Sequence, residues 1–436
     1  MHNLLWNEPT SRDVGLFSDL TLFAEALNLA AERSAVTVAV LEGELEQRVR
    51  GHTLIRPPSS RVAYQLMREL RDFRWLIPGE TPRGHLNSAS YVLTSDGEDA
   101  RATWRTDRRR FRRLLAEKMH AQYVVPGWLI DRLWRINPKG QGEVIIPAPM
   151  RDWKPRSKRW DQNAWTKQLA DQASRSAENA RTVSKGSFPV SDSDWIDAVR
   201  HAWQYLITLH PKNRQAEDYR PRHRLMLAMH EGATRLLFNC QPYGETIPDF
   251  PGHKPPMPPR YFKAWCPRLM ALELLVYSDT YRGVNGRLIF PTAVFRTAAP
   301  QSRFESIELI RHPDDRVLAL HHPEWRLTRD DFWKAVVEAH RKTSLAVKSL
   351  YVSLLDVRDS VCRQLRLSAD LFDEFLTKGL RELPREGFAY SVSVETDIRE
   401  DQLTGPGRQR RPIFIGGVPH TLIAVSELSA LTRTSP

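Results

Sequence analysis

Between residues 20 and 94 of this 436-residue chain the apolar residues change their period, and that change restricts the fold more than any other feature. In "SDLTLFAEALNLAAERS", Leu20, Phe23, Leu27 and Ala30 recur every three or four positions, which gathers them on one helix face behind a Ser18 cap. Val38, Leu41, Leu45 and Val49 repeat the pattern for a second helix. "GHTLIRPPSS" breaks the chain through Gly51, Pro57 and Pro58, and Ser59 or Ser60 then caps a third helix that buries Val62, Leu66, Leu70 and Phe73. "FRWLIP" and "ASYVLT" read as two strands joined by the polar loop "GETPRGHLNS". The order is helix, helix, helix, hairpin.

The hairpin closes on "YVLTSDGE". With Tyr91, Leu93, Thr94 and Gly97 at their places, residues 16 to 115 resemble winged-helix proteins of the multiple-antibiotic-resistance and phenolic-acid regulator type. In those families a Tyr-x-Leu-Thr-x-x-Gly string ends the wing and starts the next helix. The resemblance implies that the helix from Ser60 to Phe73 enters a DNA major groove and that residues 79 to 87 form the wing. A groove about 12 Å wide accepts one helix, and Arg61, Gln65 and Arg68 are side chains able to pair with base edges. Arg83 and His85 would be contacts of the wing tip. A winged helix that only holds proteins together is the competing reading, because fold does not by itself imply function.

Behind the wing, "EDARATWRTDRRRFRRLL" reads as one helix with Arg101, Arg105, Arg108 and Arg112 on one stripe and Trp104, Phe111 and Leu115 on another. Asp107 is the only acid between Arg101 and Arg113. Guanidinium groups massed in this way, Arg109 and Arg113 included, repel one another unless an anion relieves them, and phosphates do so with release of counterions. The whole chain carries 64 Lys and Arg against 52 Asp and Glu, a formal net charge of +12, which favours a polyanionic partner.

The middle is less legible. "PGWLIDRLWRI" and "GEVIIPAP" read as a small helix and strand that would pack against the first module. Residues from about 150 to 190 are poor in aliphatics and read as a linker or exposed helix. There Trp153, Trp160 and Trp165 interleave with Lys154, Arg156, Lys158 and Arg159, a pattern suited either to single-stranded nucleic acid or to anchoring the connection. Helices are expected in "DSDWIDAVRHAWQYLITLH", "RPRHRLMLAMHEGATRLLF" and "TRDDFWKAVVEAHRK", and strands in "RLIFPTAVFR" and "FESIELIR". The proline-dense "QPYGETIPDFPGHKPPMPPRYF" is expected to be irregular.

Catalytic patterns are absent from the sequence: no GxxxxGK[ST], no GxGxxG after a strand, no HExxH and no GxSxG. His321, His322, Glu324, Asp330 and Asp331 offer metal-ligand chemistry, but Pro323 and the two aspartates fit helix starts more simply. Asp249, Glu305 and Glu308 approach a metal-nuclease pattern, yet Leu309 stands where a lysine is required. Cys240, Cys266 and Cys362 lie far apart, so neither a disulfide framework nor a zinc site is signalled. With no signal peptide or long apolar run, a cytoplasmic protein without a membrane partner is expected.

At the carboxyl end, Leu350, Leu354, Val357, Val361 and Leu365 draw one apolar stripe, and Ser368 caps the helix that follows. Phe388, Tyr390, Val392 and Val394 alternate as a strand, and "PIFIGG" with "TLIAVS" completes the hairpin or a small sheet. Asp370, Asp373 and Glu374 would repel phosphates from this second helix-and-hairpin module, although its loop carries Arg408, Arg410 and Arg411. The expected protein is therefore α+β and mainly helical: a winged-helix domain at 1–120, a basic extension at 121–190, a mixed centre at 191–345 and a winged-helix-like domain at 346–436. Its expected function is non-enzymatic binding of double-stranded DNA without a cofactor, as an accessory subunit, with other protein subunits, of a DNA-processing or phage-defence system. A transcription regulator and a metal-dependent nuclease acting from the middle domain are the alternatives.

Overall fold

The computed structural model describes residues 20–49, 60–79, 89–123, 125–137, 140–150, 162–183, 188–209, 221–238, 259–278, 284–292, 295–297, 307–311, 317–321, 328–383, 389–396 and 412–427. The fold mixes helices with small two- and three-stranded sheets, in keeping with an α+β chain. Residues 1–132, 231–275 and 310–318 form one compact unit, and 133–230, 276–309 and 319–436 form another. The stretch expected as a middle module is thus shared between the two.

The amino-terminal helices form where their periods place them: α1 is Thr21–Glu32, α2 is Val38–Val49 and α3 is Ser60–Asp72. Phe23, Leu27, Leu41, Leu45, Leu66 and Leu70 are all buried. Leu20 stands at the start of α1 without a side-chain cap, and Ser18 lies outside the described residues. Strand β1, Leu76–Pro78, pairs antiparallel with β2, Tyr91–Leu93, with Leu76 opposite Leu93. Tyr91 also bridges Val36, between α1 and α2, so a third backbone segment joins the hairpin. Then come α4, Ser95–Thr106, α5, Arg108–Gln122, and α6, Val125–Ile136.

Strand β3, Val144–Pro147, belongs to the second unit. Of the segment expected as a linker or exposed helix, residues Gln162–Val183 form a 22-residue helix, α7, packed on α8, Asp192–Leu209. Leu169, Ala173, Ser176, Ala177 and Ala180 make its buried face, and the Trp195 indole N–H donates to the Ala173 carbonyl at 2.8 Å. Small residues let two helices approach closely, which is why a segment so poor in large aliphatics still has a core side.

Helix α9 is Pro221–Phe238, and α10, Pro259–Ala271, begins inside the run expected to be irregular. Proline is tolerated at a first helical position because that N–H has no intrahelical partner. An aromatic seam runs through the first unit from Phe23 to Phe73 and Tyr123 and on to Trp265 of α10, with successive ring centroids 6.4, 6.0 and 5.5 Å apart. In chain order there follow β4, Leu275–Ser278, β5, Gly286–Pro291, β6, Phe295–Thr297, β7, Ile307–Arg311, and β8, Val317–His321. β5 pairs antiparallel with β3 in a sheet of order β3-β5-β4.

The carboxyl-terminal residues complete the second unit with α11, Arg329–Val347, β9, Val352–Ser353, α12, Leu354–Leu365, and α13, Ala369–Arg381. Strand β10, Tyr390–Glu395, the short hairpin of β11, Ile413–Ile415, and β12, Val418–His420, and strand β13, Leu422–Glu427, follow. β13 lies between β10 and β9, antiparallel to both. Ser368 caps α13 as expected, accepting from the Leu371 N–H. Leu350 is a correction: it precedes α12 and is exposed, outside the buried stripe of Leu354, Val357, Val361 and Leu365. Gly416 and Gly417 take φ of 60° and 86°, the left-handed pair a two-residue hairpin turn requires. Helix, short strand, helix, helix and a strand pair is also the order from α1 through the Val36 bridge to β2.

Candidate nucleic-acid interface

The string that prompted the family resemblance is explained by local packing. Thr94 caps α4, its hydroxyl accepting from the Gly97 N–H at 3.1 Å and donating to the Arg74 carbonyl at 2.8 Å. Tyr91 carries the bridge to Val36. A Cβ on Gly97 would lie 2.5 Å from the Trp75 carbonyl oxygen and 2.6 Å from Leu93. Tyr91, Leu93, Thr94 and Gly97 therefore seat α4 against the end of the hairpin.

On α3 the expected base-reading stripe needs correction. Gln65 is only 7% exposed and its amide donates to the buried Glu69 carboxylate. Arg68 is partly exposed and lies 3.8 Å from Asp72 one turn on. The side chain of Arg61 lies outside the described residues. The solvent face of α3 instead presents Tyr64, Arg68 and Arg71, with Tyr64 36% exposed. Their spacing of four and then three places them on one face, a signal present in the sequence but masked by the neighbouring Gln65. Arg71 is half-buried, which opposes its charge, yet the Asp72 carboxylate it bonds at 2.7 Å raises its pKa above the usual arginine value.

The arginine-rich segment is two helices rather than one. Asp107 leaves helical geometry, its N–H returning to the Thr103 carbonyl to close α4. Its side chain then accepts from the N–H groups of Arg109 and Arg110 to open α5. An acidic N-cap at this point ends the four-residue register that would align Arg101 and Arg105 with Arg108 and Arg112.

Much of the expected ridge is also neutralised within the protein. Arg101 pairs with Glu98 at 2.7 Å, Arg112 with Glu273 at 2.8 Å and Arg113 with Glu117 at 3.3 Å. Glu32 is held below its ordinary value chiefly by its bond from Arg48, with Arg105 and Arg101 adding to the field. Three arginines of the segment bond no carboxylate among the described residues. Arg105 bonds the neutral Asn28 side chain, at 3.1 Å, Arg108 lies over the Trp104 ring with its guanidinium carbon 3.2 Å from the ring centre, and Arg110 is exposed. Partial burial lowers the Arg108 pKa, with repulsion from Arg112 adding to it and the charge of Glu25 opposing it. Arg109 is half-buried and takes part in the same region.

Beneath α3 lies a polar cluster of another kind. Arg268 of α10 holds both oxygens of Glu69, at 2.7 and 2.9 Å, with both side chains wholly buried. This pair anchors α3 to α10 and takes Glu69 and Gln65 away from any groove. At the other end of the chain, Asp373 on α13 is engaged by Arg358 at 3.3 Å, while Glu374 is exposed.

Among the described residues, no three His, Cys, Asp or Glu side chains gather to hold a metal. Asp331 belongs to the capping box of α11 with Thr328, in agreement with the helix-start reading, and Asp330 lies in the same first turn. His321 and Glu308 lie in β8 and β7, their side chains outside the described residues. Also outside lie His322, Glu324, Asp249 and Glu305, the wing residues Arg83 and His85, the linker residues Arg156, Lys158 and Arg159, and the loop residues Arg408, Arg410 and Arg411. No helix among the described residues is long and apolar enough to cross a membrane. No family model, curated protein or solved structure matches the chain.

Proposed function

We propose that this chain is a non-enzymatic DNA-binding protein, an accessory subunit of a multi-protein DNA-processing or phage-defence system, that grips duplex DNA mainly through backbone phosphates. In this reading the amino-terminal helices and hairpin are a winged helix, and the carboxyl-terminal set is a second. The observation that carries the binding reading is that the guanidinium groups of Arg105, Arg108 and Arg110 bond no carboxylate among the described residues. Arg108 is also held against an indole, which leaves the edge of its guanidinium to an oxyanion. Contact through phosphates suits this set better than base reading does, because the amide best placed to read adenine, that of Gln65, is buried. Exposed Tyr64, with Arg68 and Arg71 partly exposed beside it, supplies a second binding surface.

The test is binding to random-sequence duplex across a salt series. Replacing Arg105, Arg108 and Arg110 together with alanine should flatten the dependence of log K on log salt, by about 0.9 for each phosphate no longer neutralised. Arg113→Ala, which removes an internally paired charge, should change the slope much less. Absence of duplex binding, or a slope untouched by the triple substitution, would overturn the proposal.

A further inference from the structure

Ten large apolar side chains are exposed among the described residues, and four of them fall within seven consecutive positions: Leu345, Val347, Leu350 and Tyr351. They occupy the last turn of α11 and the bend into β9, with Leu345 72% and Leu350 52% exposed. The bend is pinned. Lys348 closes the helix in the left-handed region at φ 54°, the Ser344 hydroxyl donates to the Ser349 carbonyl at 2.6 Å, and His340 Nε2 lies 2.8 Å from the Leu350 carbonyl. Nor are these residues spare core, since Phe332, Trp333, Val336 and Ala339 already bury the inner face of α11.

The charges carried by this stretch itself are of one sign. Arg341, Lys342 and Lys348 are exposed around it, and no acidic residue occurs from 341 to 351. Lys342 is engaged by Glu338 at 2.7 Å, whereas Arg341 and Lys348 make no ion pair among the described residues. A patch of branched aliphatics held rigidly in water marks a place where another apolar surface sits. Phosphates would satisfy the cations but not desolvate Leu345 and Leu350. Two copies meeting through this same patch would bring like charges together.

We infer that this surface docks an amphipathic segment of a partner protein in which apolar residues are flanked by carboxylates. The test uses the full chain and a fluorescein-labelled synthetic helical peptide with one leucine face bordered by glutamates, read by anisotropy, beside a matched peptide with lysines for glutamates. The glutamate peptide should bind and the lysine peptide should not. Leu345→Ser with Leu350→Ser should weaken binding at least tenfold. Lys348→Glu, which leaves the apolar residues in place, should also weaken it and should reduce its sensitivity to salt. Equal affinity for the two peptides, no binding of the glutamate peptide, or affinities unchanged by the substitutions would overturn the inference. So would displacement of the peptide by duplex DNA, or sedimentation showing self-association that Leu345→Ser abolishes, which would give the surface to nucleic acid or to a second copy.

Discussion

Glu69 and Arg268 show how a polar residue can be recruited to a core. Even with Arg268 bonded to both oxygens, burial pushes the Glu69 carboxyl above its ordinary value near 4.5, so desolvation outweighs the attraction that opposes it. Arg268→Met alone should cost about 3–5 kcal/mol in urea unfolding, because it leaves a buried carboxylate without its cation. The double replacement Glu69→Leu with Arg268→Met should recover most of that loss. A raised acid pKa in the folded state gives stability that is fully present below the unfolded value and lost as pH rises through the raised one. The double variant should accordingly lose less stability than the native chain as pH rises above the ordinary carboxyl value near 4.5. None of this is legible in the sequence. From the sequence Gln65 reads as an exposed base-contacting side chain of α3, and the partner of Glu69, Arg268 of α10, lies 199 residues away.

At the scale of elements, the local signals are sound wherever they are local. Apolar periods locate α1, α2 and α3, alternation locates β10, and the Ser368 cap opens α13. Two departures share one cause, a local rule that a second local rule overrides. Periodicity alone makes the arginine segment one helix, although Asp107 is a strong N-cap residue and stops one helix while starting another. The lack of large aliphatics after residue 150 suggests a linker or an exposed helix, although alanines at positions 173, 177 and 180 recur at helical spacing and give the helix a buried face. Gly97 tests the seat of α4. Since a Cβ there would meet backbone at 2.5 Å, Gly97→Ala should destabilise the chain by about 1–3 kcal/mol in thermal or urea unfolding. It should do so whether or not DNA is present.

For the whole molecule, the division into two units cuts across chain order, and one buried carboxylate shows how distant segments are tied within a unit. Glu143, beside β3, accepts from Arg363 through both oxygens at 2.8 and 2.6 Å, and Arg366 donates to the neighbouring Gly140 carbonyl at 2.9 Å. Glu143→Ala should cost about 1.5–3 kcal/mol, the usual worth of hydrogen bonds to a charged group. Hydrogen exchange should then quicken in α12 and leave α1, in the other unit, unchanged. Faster exchange throughout the chain, or in neither helix, would contradict this assignment.

By itself the sequence determined the positions of most helices and strands, the turn and cap residues that separate them, and an excess of cationic side chains. These follow from interactions between residues a few positions apart, which any reader of the chain can enumerate. Which cations remain open to a ligand was decided only by tertiary structure. Glu273 reaches Arg112 and Asn28 reaches Arg105 across long stretches of sequence, and the field around a charge depends on what folding brings to within a few ångströms of it.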